Sequence, residues 1–206
     1  ILSVTPKDND YFQKTYQKGT YIPVFNPLNW GEKKRGTGDY ALFHGNLSVE
    51  ENNASARWLL DHVIPHLNNV SFVIAGKNPA RELVQTAKQR GVKIVANPSE
   101  ADMNELIAEA RIHVLPSTQA TGLKLKLLAA LQTAGTVIVN SNMIQGNDLG
   151  DYCIVADSAE EFVVAIQQEV NKPIDLADRK SQIEAFLTQH NTQDAVARVF
   201  REIHLI

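Results

Sequence analysis

Ile112-His113-Val114-Leu115-Pro116-Ser117-Thr118-Gln119-Ala120-Thr121-Gly122-Leu123-Lys124-Leu125-Lys126-Leu127-Leu128-Ala129-Ala130-Leu131 is the stretch whose reading decides the fold. A short apolar run stops at Pro116. Small polar residues and Gly122 then lead straight into a segment made almost wholly of Leu and Ala. A strand that feeds a helix through a short polar loop is the repeating unit of a parallel sheet covered by helices.

The same alternation runs outward in both directions from this stretch. Apolar, β-branched runs predict strands over 40–44, 71–75, 92–95, 112–115, 136–139 and 152–155. Amphipathic segments predict helices near 53–64, 80–90, 102–110, 122–134 and 159–170, and two more near 178–188 and 192–203. Most strand runs are continuously apolar rather than alternating, as expected where helices cover both sheet faces. The fold class is therefore α/β, a doubly wound and mostly parallel sheet of about six strands.

Residues 1–38 do not follow that repeat. They predict a strand over 1–4, a helix over 7–17 with Pro6 in its first turn, and a strand over 21–25. A linker rich in Gly, Pro and charge follows. We expect 1–38 to be the tail of a preceding α/β domain plus linker, and 39–206 to be a complete second domain. The start on Ile1-Leu2-Ser3-Val4 without methionine adds the expectation of a piece from a longer protein.

Composition narrows the function classes. The 206 residues carry a net charge of -3 and no basic run interleaved with aromatics, so nucleic acid is not an expected partner. A single cysteine, Cys153, excludes an internal disulfide framework and, in its apolar run, predicts an inert buried thiol. No apolar stretch approaches the roughly 20 residues of a membrane span, so no transmembrane segment is expected. No charged lead with a long apolar segment marks a signal peptide.

In open parallel sheets, ligands sit beyond the carboxyl ends of the strands. The segments to examine are then 44–48, 76–79, 97–99 and 116–123. Gly45 and Gly76 each end a strand, where glycine either makes a tight turn or lets backbone approach a ligand. A helix opening at Gly122 would offer unpaired N–H groups to a phosphate. Gly122, Lys126 and Ala129 share one helical stripe, and leucines occupy most of the rest. Such a helix is buried, so Lys126 either snorkels to solvent or meets an anion, and Lys124 has the same two options.

Other constellations carry less. His62 and His66 are spaced for a metal, but Pro65 intervenes and a solvated helix end accounts for them. Asp8 and Asp10 fall in a first helical turn, where acids favour the dipole. The chain has no Gly-x-x-x-x-Gly-Lys-Ser/Thr loop, no Gly-x-Gly-x-x-Gly and no Gly-x-Ser-x-Gly.

These residues resemble a known family, the retaining sugar-nucleotide glycosyltransferases with two Rossmann-like domains, the GT-B fold. Phe43-His44-Gly45-Asn46-Leu47-Ser48 with Asn52 is similar to the family's first strand and glycine loop, and Phe72-Val73-Ile74-Ala75-Gly76 to its second strand. Asp102 to Ser117 is similar to the helix and strand before the donor loop. Gly122-Leu123-Lys124-Leu125-Lys126-Leu127-Leu128 resembles the Gly-Thr-Lys-Ile-Lys-Val-Leu motif of one branch. Asp157 to Ile166 resembles the helix after the last strand.

The resemblance implies a donor-binding domain that takes a nucleoside-diphosphate sugar. Its expected site is Gly45, Asn46, Gly76, Asn97, Thr121, Gly122, Leu123, Lys124 and Lys126, with the loop at Asn97 lining the base pocket. The acceptor, a glycan or lipid-linked glycan, would bind through the N-terminal domain. The resemblance implies no cofactor and no metal, and a cytoplasmic protein of bacterial glycan biosynthesis, peripheral at the inner membrane face when full-length. The isolated chain is expected to bind nucleotide weakly and to catalyse nothing.

Three departures stand out. Asn46 replaces the family's Arg after the first-loop glycine, and Glu51 replaces a Lys. The family's paired glutamates would fall on Thr121 and Ala129. These departures support an alternative, a non-catalytic module that binds a nucleotide or nucleotide sugar. A dinucleotide-dependent oxidoreductase would share the fold but lacks its glycine fingerprint here.

Overall fold

Apolar runs flanked by glycine, asparagine and capping serines set where each element begins. The computed structural model describes residues 1–22, 36–120, 124–147, 149–173, 177, 181–182, 184–185, 188 and 192–202. A small sheet pairs β1 (Leu2–Ser3) with β2 (Thr20–Tyr21) in parallel around α1 (Pro6–Tyr16). Thr5 caps α1 by accepting from the Asp8 amide at 3.1 Å, with Pro6 in the first turn. Of the strand expected over 21–25, residues 23–25 lie outside the described residues.

The main sheet contains β3 (Tyr40–Asn46), β4 (Ser71–Lys77), β5 (Lys93–Ala96), β6 (Ile112–Leu115), β7 (Thr136–Val139) and β8 (Ile154–Val155). Its six strands run in the order β5-β4-β3-β6-β7-β8, and every pair is parallel. The chain winds outward from β3 to β5, crosses back to β6 and winds the other way to β8. The order therefore reverses between β3 and β6, which is where a doubly wound sheet opens a crevice at its strand ends.

The crossovers are α2 (Glu50–Trp58), α3 (Arg81–Gln89), α4 (Glu100–Glu109), α5 (Leu125–Leu131) and the four-residue α6 (Ser141–Ile144), with α7 (Ala159–Val170) after β8 and α8 (Thr192–Glu202) near the end. Ser99 caps α4 through the Asp102 amide, and Ser158 with Glu161 forms a capping box on α7. Residues 178–180, 183 and 186–187 of the helix expected near 178–188 lie outside the described residues.

Pro65 shapes the end of α2. It has no amide proton, and its ring collides with the carbonyl four residues back. The helix accordingly widens into a π turn over Leu59–Val63 and closes as a 3₁₀ turn over Ile64–His66. Leu59, Leu60 and Val63 are fully buried, and Trp58 meets Phe162 of α7 edge-on at 5.4 Å.

Strand alternation divides the core. Ala41, Phe43, Phe72 and Ile74 join the large cluster with Leu59, Leu60 and Phe162. Leu42, Val73 and Ala75 pack instead with Ile107 and Ala110 beside α4. Three sequence expectations change. The strand expected over 152–155 is only Ile154–Val155, because Gly150–Tyr152 forms a 3₁₀ turn that consumes its start. Cys153 is half-buried, its thiol facing the Leu149 carbonyl at 3.4 Å. The helix expected over 122–134 is α5, which begins at Leu125 and ends at Leu131, where Thr133 folds back onto the Ala130 carbonyl. It is not apolar-buried all round: Leu127, Ala130 and Leu131 face the sheet, but Leu125 is 63% exposed. No helix among the described residues is long and apolar enough to cross a membrane.

Candidate functional site

The carboxyl ends of β3, β4 and β5 are knitted by backbone. Gly45 and Gly76 are register partners. A Cβ on Gly76 would stand 1.9 Å from the Gly45 carbonyl oxygen, so only glycine permits this approach. The Asn97 amide donates to the Gly76 carbonyl at 2.9 Å, and its Oδ1 accepts from the Asn78 amide at 2.7 Å. Asn78 and Asn97 both have positive φ, 50° and 51°, a region asparagine tolerates better than most residues. The loops after β4 and β5 are thus latched together.

Asn46 spends its side chain locally, its Oδ1 accepting from the Ser48 hydroxyl at 2.8 Å and amide at 3.2 Å. Its carbonyl accepts from Asn52 Nδ2 at 3.0 Å. A Cβ on Gly45 would come within 3.1 to 3.2 Å of the Asn52 side-chain head, so glycine also leaves room for that amide.

Charge gathers beside this scaffold. Lys126 Nζ donates to Asn52 Oδ1 at 2.7 Å and lies 5.1 Å from the centroid of the Phe43 ring. Asn52 therefore ties Lys126 to the glycine loop. Burial pushes the Lys126 ammonium down to about 8; Glu51 opposes that shift and Lys124 adds to it. Lys124 Nζ pairs with Glu51 Oε1 at 2.9 Å, with only 8% and 16% of the two side chains exposed. The same carboxylate oxygen accepts from the Ser117 hydroxyl. Burial alone would raise the Glu51 carboxyl. The hydrogen bonds from Ser117 and Lys124, with the charges of both lysines, outweigh it and hold the group below its ordinary value.

Ser117 cannot shift freely. Its amide donates to Asn140 Oδ1 at 2.9 Å, and its carbonyl accepts from Asn140 Nδ2 at 2.8 Å and Asn142 Nδ2 at 3.2 Å. Beneath the rim, His44 is buried beside His113, ring centroids 6.0 Å apart, and its Nε2 has no hydrogen-bond partner among the described residues. Burial, reinforced by the nearby Lys126 charge, pushes its imidazole down to about 3, so it is neutral at physiological pH.

Of the expected site residues, Gly45, Asn46, Gly76, Asn97, Lys124 and Lys126 all lie on or beside the strand-end rim. Thr121, Gly122 and Leu123 lie outside the described residues. Lys124 is not a snorkelling lysine: it is buried, caps α5 through its carbonyl, which accepts from Leu127 at 2.9 Å, and is ion-paired. Glu51, Ser117, Asn52 and Asn140 were not singled out by sequence for these roles. The one available signal was the charge reversal at Glu51, where the family resemblance has Lys. A separate groove of about 510 Å³ between α1 and 146–147 shares no lining residue with this rim.

The comparisons agree with the architecture. The family described as "Glycosyl transferases group 1" matches residues 38–172. No curated protein matches the sequence. Among solved structures, a TarM variant of S. aureus in complex with fondaparinux, alpha-GlcNAc-glycerol and UDP is similar at TM-score 0.72 and 14% identity, over 97% of this chain and 43% of that one. Anabaena HepE in complex with UDP and glucose is similar at 0.73 and 12%, over 100% of this chain and 63% of that one. The apo lipopolysaccharide outer core galactosyltransferase WaaB is similar at 0.61 and 15%, over 96% and 61%. The chain thus spans about half of these proteins, and at such identity the likeness speaks for the fold. With the family match over most of its length, the chain belongs to the group 1 glycosyl transferases and carries a Rossmann-like domain of their GT-B fold.

Proposed function

We propose that this chain is the donor-binding part of a glycosyltransferase, taking a nucleoside-diphosphate sugar whose glycosyl group passes to a glycan or lipid-linked acceptor. The observation that carries this reading is Lys126. It is a partly buried cation at the switch point of the sheet, and its hydrogen-bond partner, Asn52, is uncharged. An ammonium held in that way gains most from an arriving anion. The diphosphate would lie beside Lys126 and Lys124, against the glycine-backed loops at Gly45 and Gly76. The base would lie toward the latched loop at Asn97. UDP in the TarM and HepE complexes supports this class of ligand.

As the glycosyl bond breaks, negative charge grows on the departing diphosphate, and in this reading Lys124 and Lys126 would stabilise it in place of a metal. Residues 1–38 would be the end of an acceptor domain and its linker, so we expect the isolated 206 residues to bind nucleotide and catalyse no transfer. In the full-length protein we place the activity in the cytoplasm, peripheral to the membrane. Titration calorimetry with UDP, GDP and ADP tests the site: one of them should bind, and Lys126→Ala should weaken it at least tenfold, about the value of one charged contact. Equal affinity in the variant would refute the placement.

A second reading has its own observation. Ala129 cannot accept a hydrogen bond, and Glu51 neutralises one of the two lysines. Both favour a nucleotide-binding module without catalysis. Glycosyl transfer by the full-length protein would eliminate it.

A further inference from the structure

The cationic pair at the rim is not left to act at full strength. Glu51 stands in the first turn of α2, and its Oε1 takes both the Ser117 hydroxyl and Lys124 Nζ. Ser117 is pinned by Asn140 at both its amide and its carbonyl, so the hydroxyl that holds the carboxylate is fixed just beyond β6. A ligand diphosphate that draws on Lys124 and Lys126 must therefore sit near a fixed negative charge.

We propose that Glu51 is a specificity-determining counter-charge that makes the site favour the sugar-bearing donor over the free nucleoside diphosphate and so aids departure of the latter. This rests on the donor-site reading above. The chemistry is simple. The terminal phosphate of a nucleoside diphosphate ionises a second time near pH 6, whereas the same phosphate esterified to a sugar has no second proton to lose. At neutral pH the spent nucleotide therefore carries one more negative charge than the donor. Two lysines alone would hold the more charged species harder and retain it after transfer. A fixed carboxylate repels each ligand charge in turn, so it penalises the spent nucleotide most, and it brings the pair's summed charge from two to one.

Glu51→Gln tests this, since glutamine keeps the shape and can still accept from Ser117. Calorimetric titrations would compare UDP with UDP-glucose and GDP with GDP-mannose, for the native protein and the variant, after melting curves establish that both are folded. We expect the nucleoside diphosphate to bind about tenfold tighter in Glu51→Gln, the sugar ester to gain clearly less, and the gap to shrink in 0.5 M salt as screening takes hold. Should Glu51→Gln unfold, Glu51→Ala, which also removes the charge, takes its place. Unchanged or weaker nucleoside-diphosphate binding, or an equal gain for both ligands, would overturn the counter-charge role. Those outcomes, with Lys126→Ala still weakening binding, leave the donor-site reading standing. If neither native protein nor variant binds any of the four ligands, both readings fall together.

Discussion

At the ends of β3, β4 and β5 the rim is shaped by backbone: two facing glycines, two asparagines at positive φ, and amide-to-carbonyl bonds that cross from loop to loop. Where the segment after β6 meets the start of α2, the same rim is shaped by charge, with Lys124, Lys126 and Glu51 held between Asn52 and Ser117. The first half is rigid because alternatives clash. The second is poised, because each charge there is only partly compensated. A binding surface built this way has a fixed shape on one side and an adjustable electrostatic field on the other.

The sharpest way to break the comparison is to damage the backbone half. Gly76→Ala puts a methyl group against the Gly45 carbonyl at 1.9 Å, and neither strand can move away without parting from its partners. We expect a loss of about 3 kcal/mol or more in urea unfolding, beyond the usual cost of overpacking. A near-neutral result would mean that the strand ends are not locked.

His44 joins the two halves, lying in β3 but sensing Lys126. Its imidazole is pushed down to about 3 by burial and then by that lysine, from an unfolded value near 6.5. A base with a depressed folded pKa is neutral in the native state and takes up a proton on unfolding. Its contribution is therefore fully present above about pH 6.5 and is lost as pH falls from there towards 3. His44→Leu should flatten stability over that window, by on the order of a few kcal/mol at the acid end. Parallel acid-unfolding curves for native and variant protein would show that His44 is not the group that titrates.

A smaller effect sharpens the picture of the latch. Asn97→Ala removes the acceptor of the Asn78 amide and leaves alanine at φ 51°. The loop is exposed, so we expect a cost of about 1 kcal/mol, read from the melting temperature. A cost as large as that of Gly76→Ala would place the rigidity in the asparagines instead.

The backbone half was largely legible in the sequence. Continuous apolar runs ending in glycine gave β3 and β4, and one ending in proline gave β6, with the loops after them, because local sterics decide those features. The charged half was not. Glu51 and Lys124 are 73 residues apart, and only the fold brings them together. Periodicity found α5, but not its start at Leu125, nor the solvent face that leaves Leu125 exposed. It missed α6, whose four residues are too few for a helical period. The π turn near Pro65 came from one missing amide proton that no apolar pattern records.

The most direct test of the whole account is the pH dependence of nucleotide binding, followed by calorimetry with the tightest-binding of UDP, GDP and ADP. Burial leaves the Lys126 ammonium near 8, and a bound diphosphate needs it charged. Affinity in the native protein should hold between about pH 7 and 8, where the diphosphate is fully ionised, and fall above that, approaching tenfold per pH unit, because binding must then recruit a proton. In Lys126→Met it should be weaker and flat over the same range. The same decline in both proteins, or none in either, would contradict the claim that Lys126 receives the diphosphate.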